Sequence, residues 1–309
     1  MPPLISIVTP CLNRVRLIAE AIESAMQPDY PDVEHLVIDG GSTDGTLELL
    51  KRYPHLRVIS EPDQGVYDAL NKGLRLARGQ MIGFLNTDDC YAPGVLARAA
   101  DCLIRHPQAW AAAGDADLFL IDADGTRRQI MTFPAIPLEQ LWSRLTIGVP
   151  AFNAWFFRAE LFERLGRFNL AYPLSADREF MLRLGLSGLP YATFEGLAYS
   201  YRQHPGSLTT SGNPDPGAPY TEPPYILEKR LIAEAYLEDP ALPPDIRLVI
   251  RRWHADITSG QVLYALRRGQ LRRALAHAGV GWRRNLAWPV EFASRIFAGL
   301  LKQSHRTRG

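Results

Sequence analysis

Two adjacent carboxylates close a short polar segment that directly follows an apolar run. The segment is Asn86-Thr87-Asp88-Asp89, and residues 81–85 before it are typical of a buried strand. Mg²⁺ and Mn²⁺ prefer one or two carboxylates together with phosphate oxygens of a substrate, and a loop at a strand end can hold Asp88 and Asp89 in a defined geometry. The segment therefore indicates a site for a divalent cation bridging a diphosphate. The other interpretation is an ordinary Asp-Asp turn.

The elements that would position these carboxylates alternate between short β-rich runs and helical patterns. Strands are predicted at residues 5–9, 34–39, 56–60 and 81–85, with helices at about 17–25, 46–52, 66–77 and 94–105. Repeated β-α units indicate an α/β fold with a mostly parallel, twisted sheet flanked by helices. Ligands of such sheets bind at the carboxyl ends of the strands.

Each of the four predicted strands is followed by a polar loop. The loops are residues 9–13, 39–45, 60–65 and 86–89. Their convergence at one edge of the sheet favours a ligand site more strongly than any single loop does. Capping of the next helix accounts for Ser42 or Asp44, but it does not account for Asp39. Because the loops lack the G-x-G-x-x-G spacing of a dinucleotide site, NAD is disfavoured.

Length and composition fit one large α/β domain with an appendage. The chain has 309 residues, of which 47 % are hydrophobic. Its three cysteines show neither metal-ligand spacing nor an even count for disulfides, which fits a reducing cytoplasm. The start lacks the pattern of a signal peptide, and no apolar stretch reaches the roughly 18 residues of a membrane span, so we expect neither secretion nor spanning.

Positive charge is concentrated at the end of the chain. Residues 247–309 contain 13 Arg and Lys residues against Asp256 and Glu291, while the whole chain has a net charge of +1. This asymmetry predicts an acidic partner, and an anionic membrane surface fits best because no nucleic-acid reader module accompanies the charge. Aromatic and aliphatic residues interleave with the basic ones, which suits an amphipathic helix in an anionic interface. A helix packed on the first domain, with a solvated basic face, is the other interpretation.

Four segments, in this order, resemble family 2 glycosyltransferases of the GT-A fold. They are Ser6–Arg14, Val37–Thr46, Ser60–Gly73 and Gly83–Asp89. The resemblance implies a GT-A catalytic domain over residues 1–205, with a nucleotide-sugar half at about 1–105 and an acceptor half at about 106–205.

Two further regions follow this domain in the predicted organisation. Residues 206–224 are rich in Pro, Gly, Ser and Thr, and we expect a flexible loop that closes over bound donor. Residues 225–309 form a basic helical extension, with helices at about 225–238 and 246–278 and a break at Gly269.

The resemblance implies a donor site for a nucleoside-diphosphate sugar, with UDP as the expected nucleotide. Asp39 would accept a hydrogen bond from the N3–H group of a uracil-like base. Thr9, Pro10 and Leu12 would form the wall beside that base. Many relatives have Tyr where this chain has Leu12, so an aromatic support for the base is absent here.

The same resemblance implies residues around the diphosphate. Asp88 would contact the ribose or the metal, Asp89 would ligate Mn²⁺ or Mg²⁺ directly, and His204 would reach the metal or the diphosphate. Lys72 would pair with a phosphate, and Asp68 would orient ribose or sugar hydroxyls. The alternatives are a solvated Lys72, a helix-dipole role for Asp68 and a packing role for His204.

An inverting sugar transferase needs a base for the acceptor hydroxyl. Ser175–Leu184 resembles the family's acidic motif at the start of an acceptor-side helix, which makes Asp177 the predicted catalytic base and Glu179 the fallback. In the other interpretation, Asp177 caps that helix and pairs with Arg178 or Arg183.

We therefore predict a metal-dependent, inverting glycosyltransferase whose acceptor is a lipid-linked saccharide, as in bacterial surface-polysaccharide assembly. We expect it in the cytoplasm, peripheral on the inner face of the cytoplasmic membrane. Phe152 and Asn153 stand where relatives commonly have His-Gln, which affects the acceptor or sugar preference.

Two other functions stay open at this point. A nucleotidyltransferase is one, although the first loop lacks a glycine-rich, basic sequence to receive a triphosphate. A non-catalytic, membrane-targeted sugar-nucleotide-binding module is the other, and the presence of both Asp89 and Asp177 disfavours it.

Overall fold

The protein divides into two compact units, Met1–Pro216 and Gly217–Gly309. The computed structural model describes residues 2–146, 148, 151–204, 224–290 and 292–293. Apart from Pro224, the predicted loop at 206–224 lies outside the described residues, as does the tail beyond 293 with Arg295, Ile296, Phe297, Leu300, Leu301 and Lys302.

The first unit alternates strands and helices over its first half, as the sequence predicts. Its strands are β1 (Ile5–Cys11), β2 (Val33–Asp39), β3 (Leu56–Ser60), β4 (Met81–Phe84), β5 (Cys90–Tyr91), β6 (Ala111–Ile121), β7 (Arg127–Phe133), β8 (Trp155–Arg158) and β9 (Ala192–Arg202). Its helices are α1 (Ile18–Ala25), α2 (Thr46–Leu50), α3 (Val66–Leu76), α4 (Val95–Arg105), α5 (Leu141–Thr146), α6 (Glu160–Leu165) and α7 (Ala176–Ser187).

One sheet contains all of these strands. Its order is β3-β2-β1-β4-β8-β6-β9-β5, and β7 pairs with β6. The four strands β3, β2, β1 and β4 run parallel to one another, which confirms the predicted β-α repeats. Beyond them the sheet is mixed, because β8 lies antiparallel between β4 and β6 while β9 runs parallel to β6. The carboxyl ends of the first four strands therefore share one edge with the end of β9.

Close packing of helices on the sheet holds this edge in place. Every residue of β1 and β4 is buried, which accounts for their apolar sequences. Helix α3 crosses β1 at Gly73, where a Cβ atom would lie 2.2 Å from Cγ1 of Val8, so only glycine permits this approach.

Six phenylalanines join residues 152–180 of the unit to β4. The rings of neighbouring members have centroids 4.9–6.3 Å apart. The six are Phe84, Phe152, Phe157, Phe162, Phe168 and Phe180. Stacked and edge-to-face rings at these distances bury a large apolar area, so the start of α7 is positioned rigidly relative to the end of β4.

The second unit contains α8 (Pro224–Glu238), α9 (Pro244–Arg267) and α10 (Leu271–Arg284). Gly269 separates the last two helices with a φ of +68°, which confirms the predicted break. Its core contains Ala255, Val262, Ala265, Ala274 and Trp288. None of the helices within the described ranges is long and apolar enough to cross a membrane.

Candidate active site

The loops after β1 and β2 are held together by side-chain hydrogen bonds. Asn13, in the left-handed region with a φ of +53°, donates its backbone N–H to the Ser42 hydroxyl at 2.7 Å. Its side-chain oxygen accepts the Thr43 N–H at 2.8 Å. Asp44 accepts the backbone N–H groups of Val15 and Thr46, which agrees with its predicted capping role. The two loops therefore form one rigid edge.

Asp39 lies beneath this edge with no exposed surface. One carboxylate oxygen, Oδ2, accepts hydrogen bonds from the backbone N–H groups of Gly41 and Ser42 and from the Ser60 hydroxyl, while Oδ1 accepts the Ser42 hydroxyl. Burial raises the pKa of Asp39, but these hydrogen bonds outweigh it and hold the pKa below its ordinary value. Asp39 is therefore an ionised hydrogen-bond acceptor. The nucleobase of a donor could reach it only if the turn at Ser42 moves.

Of the three residues predicted beside the base, Leu12 alone has an exposed side chain. Pro10 is buried, and the Thr9 hydroxyl lies 2.8 Å from Nε2 of His35 in the interior. The side chain of Thr9 is thus committed to the core of the sheet, so a wall beside a base would rest on Leu12.

Lys72 and Asp68 lie at the third loop, but they bind the protein itself. The Lys72 ammonium donates to the carbonyl of Pro62 at 2.6 Å and lies 3.0 Å from a Glu61 oxygen and 3.8 Å from an Asp68 oxygen. Its side chain is largely buried, which excludes the solvated interpretation. Asp68 accepts the backbone N–H of Gln64 at the start of α3, where a carboxylate favours the helix dipole.

Asp88 meets His204 at the end of β9. Oδ2 of Asp88 and Nε2 of His204 are 2.9 Å apart, and each side chain keeps 20 % of its surface exposed. Residues 116 positions apart in sequence are thus brought together at the predicted cation site.

Asp89 points into the interior. Its carboxylate accepts hydrogen bonds from the Tyr199 hydroxyl at 2.8 Å, the backbone N–H of Arg202 at 2.8 Å and the side-chain amide of Asn86 at 3.1 Å. Burial and the charge of Asp88 raise the pKa of Asp89 to about 7. Both of its oxygens are therefore engaged by the protein, whereas Asp88 faces outward.

The Tyr199 hydroxyl connects three segments. It donates to Asp89 and accepts the Asn86 N–H at 3.0 Å and the Asn153 side-chain amide at 2.9 Å. Tyr201 accepts the Asn153 backbone N–H at 3.2 Å. Sequence reasoning missed both tyrosines as site residues, since nothing local marks them. It noted Asn153 for its departure from the pattern of relatives, but it did not predict this contact with Tyr199 and Tyr201.

Asp177 lies in the first turn of α7, half-buried, where its Oδ1 accepts the backbone N–H of Arg178 at 2.7 Å. Arg183 binds the fallback base Glu179 through contacts of 2.9–3.0 Å. Burial, the charge of Asp89 and then that of Asp177 raise the pKa of Tyr201 well above its ordinary value.

The side chains at this edge fit a hard divalent cation that takes few ligands from the protein. Within the described residues, no three side chains of His, Cys, Asp or Glu form a ready metal cluster. Asp88 and His204 do converge with exposed edges, and Mg²⁺ usually takes one or two protein ligands together with substrate phosphates. An oxygen ligand and an imidazole suit Mn²⁺ as well.

Comparisons with known proteins identify the family. Residues 6–166 match the family model described as "Glycosyl transferase family 2". A "PGL/p-HBAD biosynthesis glycosyltransferase" from Mycobacterium tuberculosis is 34 % identical over 187 residues, which are 59 % of this chain and 69 % of that relative.

Two solved structures share the fold. S. aureus TarS 1-349 in complex with UDP-GlcNAc matches with a TM-score of 0.58 and 17 % identity, over 87 % of this chain and 89 % of that one. The mannosyltransferase PcManGT from Pyrobaculum calidifontis, in complex with GDP-Man and Mn²⁺, matches with a TM-score of 0.53 and 20 % identity, over 97 % of this chain and 81 % of that one.

The twisted sheet flanked by helices, with acidic loops at its carboxyl edge, is a GT-A type fold. The chain belongs to glycosyl transferase family 2 and is a glycosyltransferase. The predicted family, fold class and enzyme class are thereby confirmed, and this membership speaks against the nucleotidyltransferase and non-catalytic alternatives.

Proposed function

We propose that the protein is an inverting glycosyltransferase that moves a sugar from a nucleoside-diphosphate sugar to an acceptor hydroxyl, with Mn²⁺ or Mg²⁺ as cofactor. The observation that carries the proposal is the meeting of Asp88 and His204, whose Oδ2 and Nε2 atoms lie 2.9 Å apart, with both side chains partly exposed, at the carboxyl edge of the sheet. Asp177, half-buried in the first turn of α7, would supply the base from the acceptor side. Transfer to a hydroxyl needs a diphosphate site and a base on adjacent sides of one cleft.

The donor proposal draws support from structural relatives bound to UDP-GlcNAc, UDP and GDP-Man. UDP is the choice because Asp39 is an ionised acceptor and its Oδ1 has a single protein donor. With the Ser42 turn opened, that oxygen would accept the N3–H of uracil, while exposed Leu12 packs beside the ring. Lys72 and Asp68 would contact phosphate and sugar hydroxyls by exchanging their present partners in the third loop.

Asp88 and His204 would hold the cation, with donor phosphate oxygens as the remaining ligands. A cation bound there would offset the negative charge of the departing diphosphate. Asp89 would ligate it directly only after giving up a hydrogen bond to β9, and otherwise holds the loop of Asp88 in position.

Asp177 would take the proton from the acceptor hydroxyl as it attacks the anomeric carbon. Its exposed part and its place at the start of α7 suit this role, whereas Glu179 is neutralised by Arg183. A single base on the acceptor side is what direct displacement with inversion requires.

For the acceptor we propose a lipid-linked saccharide at the inner face of the cytoplasmic membrane. The support is the name of the mycobacterial relatives, which places those proteins in PGL/p-HBAD biosynthesis, together with the basic region at 247–309. Assembly of a cell-surface saccharide is the process in which we place the enzyme.

Calorimetric titration of UDP, with GDP as comparison, tests the donor site. We expect UDP to bind wild-type protein with Mn²⁺ and far more weakly without it. Asp88→Asn should weaken metal-dependent binding at least about tenfold. The matched control is Asp101→Asn, an exposed carboxylate on α4, which should bind as wild type does.

Measuring the rate of glycosyl transfer together with UDP affinity distinguishes the catalytic base from the donor-binding residues. Asp177→Asn should keep UDP affinity while transfer falls by about 10²–10⁴. If neither nucleotide binds in the presence of metal, or if Asp88→Asn behaves like Asp101→Asn, the proposed donor site is wrong. Equal transfer rates for Asp177→Asn and wild type would remove Asp177 from the mechanism.

A further inference from the structure

Large apolar side chains lie exposed along α10 and the turn after it. Their exposed fractions are 61 % for Leu271, 63 % for Leu275, 59 % for Trp282, 86 % for Leu286 and 74 % for Val290. Single exposed apolar residues are ordinary, but a cluster of them marks a contact surface.

The three members within α10 share one face. At about 100° per residue, Leu271, Leu275 and Trp282 fall within about 40° of one another. The core of the unit uses a different side of the helix, because Ala274 and Gly281 are buried and a Cβ at Gly281 would lie 2.5 Å from the Trp288 indole nitrogen. The exposed stripe is therefore additional to the face that folds the unit.

Arginines flank this stripe without acidic residues to offset them. Arg272 and Arg283 are exposed at about 100–120° from Leu271, and neither forms an ion pair with the described residues. From residue 257 to residue 290 the sequence contains six arginines and no Asp or Glu. Among these, Arg284 is paired with Glu238.

We propose that this α10 face, formed by Leu271, Leu275 and Trp282 and continued by Leu286 and Val290, docks on an anionic lipid bilayer. Leucines with a tryptophan beside arginines fit the boundary between acyl chains and negatively charged headgroups. A second copy of the chain would bring like charges together, and a nucleic acid would leave the apolar stripe in water. The inference rests on the proposed function only in placing the acceptor at a membrane.

Flotation with vesicles of phosphatidylcholine, alone or mixed with phosphatidylglycerol, tests the proposal without any substrate. We expect wild-type protein to bind the mixed vesicles and bind neutral ones more weakly. Replacing both arginines, Arg272→Gln with Arg283→Gln, should lower the partition coefficient on mixed vesicles about 30-fold, since each basic residue contributes about 1 kcal/mol. The same variant should equal wild type on neutral vesicles.

Matched controls lie on α9 in the same unit. Leu275→Asp should lower binding at least tenfold, whereas Leu248→Asp, also exposed, should not. Arg251→Gln with Arg252→Gln, both exposed, is the control for charge. Calorimetric titration of UDP into each variant measures the donor site separately, so a change in vesicle binding can be told apart from a change in UDP affinity.

The proposal is overturned if wild-type protein does not float with the mixed vesicles or if the controls lose as much binding as the test variants. It is equally overturned if Leu275→Asp dissociates a dimer seen by light scattering, because the face would then be an interface between copies. Vesicle binding that persists when glycosyl transfer fails would refute the proposed function and leave the docking surface standing.

Discussion

Replacing Tyr199 by Phe removes one oxygen atom from a fully buried position that joins three segments. The hydroxyl accepts the Asn86 N–H at 3.0 Å and the Asn153 amide at 2.9 Å, and it donates to Asp89 at 2.8 Å. All of its hydrogen-bonding capacity is used, so the variant leaves two donors and one carboxylate each short of a partner.

The magnitude follows from this count. A buried polar group that loses its partner costs about 1–3 kcal/mol, and a bond to a carboxylate lies at the upper end of the range. Allowing for partial relaxation among the three groups, we expect Tyr199→Phe to lower the free energy of unfolding by about 3 kcal/mol. For a unit of this size, this corresponds to a fall in Tm of about 6–12 °C.

Thermal unfolding beside a matched control measures this effect. Tyr91→Phe is the control, because Tyr91 is also buried but its hydroxyl makes a single bond, to the carbonyl of Phe84 at 3.0 Å. We expect it to cost about 1 kcal/mol. Metal-dependent affinity for UDP should also fall in Tyr199→Phe and not in Tyr91→Phe, since Tyr199, unlike Tyr91, donates a hydrogen bond to Asp89.

Two results would contradict this reasoning. Equal stability of the two variants would show that the three hydrogen bonds do not act together. A destabilised Tyr199→Phe protein that binds UDP with unchanged affinity would show that Tyr199 supports the fold without positioning the acidic loop.

Three further predictions concern other residues. Burial, with a smaller contribution from His55, lowers the pKa of His35 to about 3, so the unfolded chain binds a proton below pH 6.5 that the folded protein excludes. His35 should therefore lower the stability by about 1.3 kcal/mol from pH 7.5 to 5.5, while the raised pKa of Asp89 acts in the opposite direction. Urea titrations of wild type and His35→Gln at both pH values isolate the His35 contribution as the difference between the two proteins. Gly73→Ala should destabilise the protein by about 3 kcal/mol or more, because the added Cβ would collide with Val8 of β1. Gly260→Ala is the control: a Cβ there would meet no atom within 4 Å, so the change should stabilise the protein by about 0.5–1 kcal/mol in the same urea titrations. Lys72→Gln should weaken UDP binding about tenfold if its ammonium contacts phosphate, while Lys51→Gln, from an exposed surface pair, should leave calorimetric affinity unchanged.

The parallel half of the fold could be predicted because its signals are local. Strand-length apolar runs such as residues 81–85 and helical spacing such as that of α1 depend on neighbours in sequence, and their alternation implies parallel strands. The same local order placed polar loops at one edge. Asp39 and Asp88 were therefore recognisable as site candidates before any contact was known.

The mixed half of the sheet could not be predicted in this way. Strand β8 is four residues long and lies antiparallel between strands that are distant in sequence. Its position depends on the phenylalanine cluster, in which rings of four different segments pack together. Such packing depends on which residues meet in space, and no periodicity in the chain encodes it.

The sequence by itself determined the family, the β-α order and the acidic residues available for chemistry. The tertiary structure decided how those residues are used: Asp89 is turned inward to Tyr199, 110 positions away, while Asp88 faces His204. It also decided that Lys72 binds its own loop and that Thr9 binds His35. The physical reason is that hydrogen-bond partners and burial are set by side chains distant in sequence, and burial sets the pKa and the exposure on which reactivity depends.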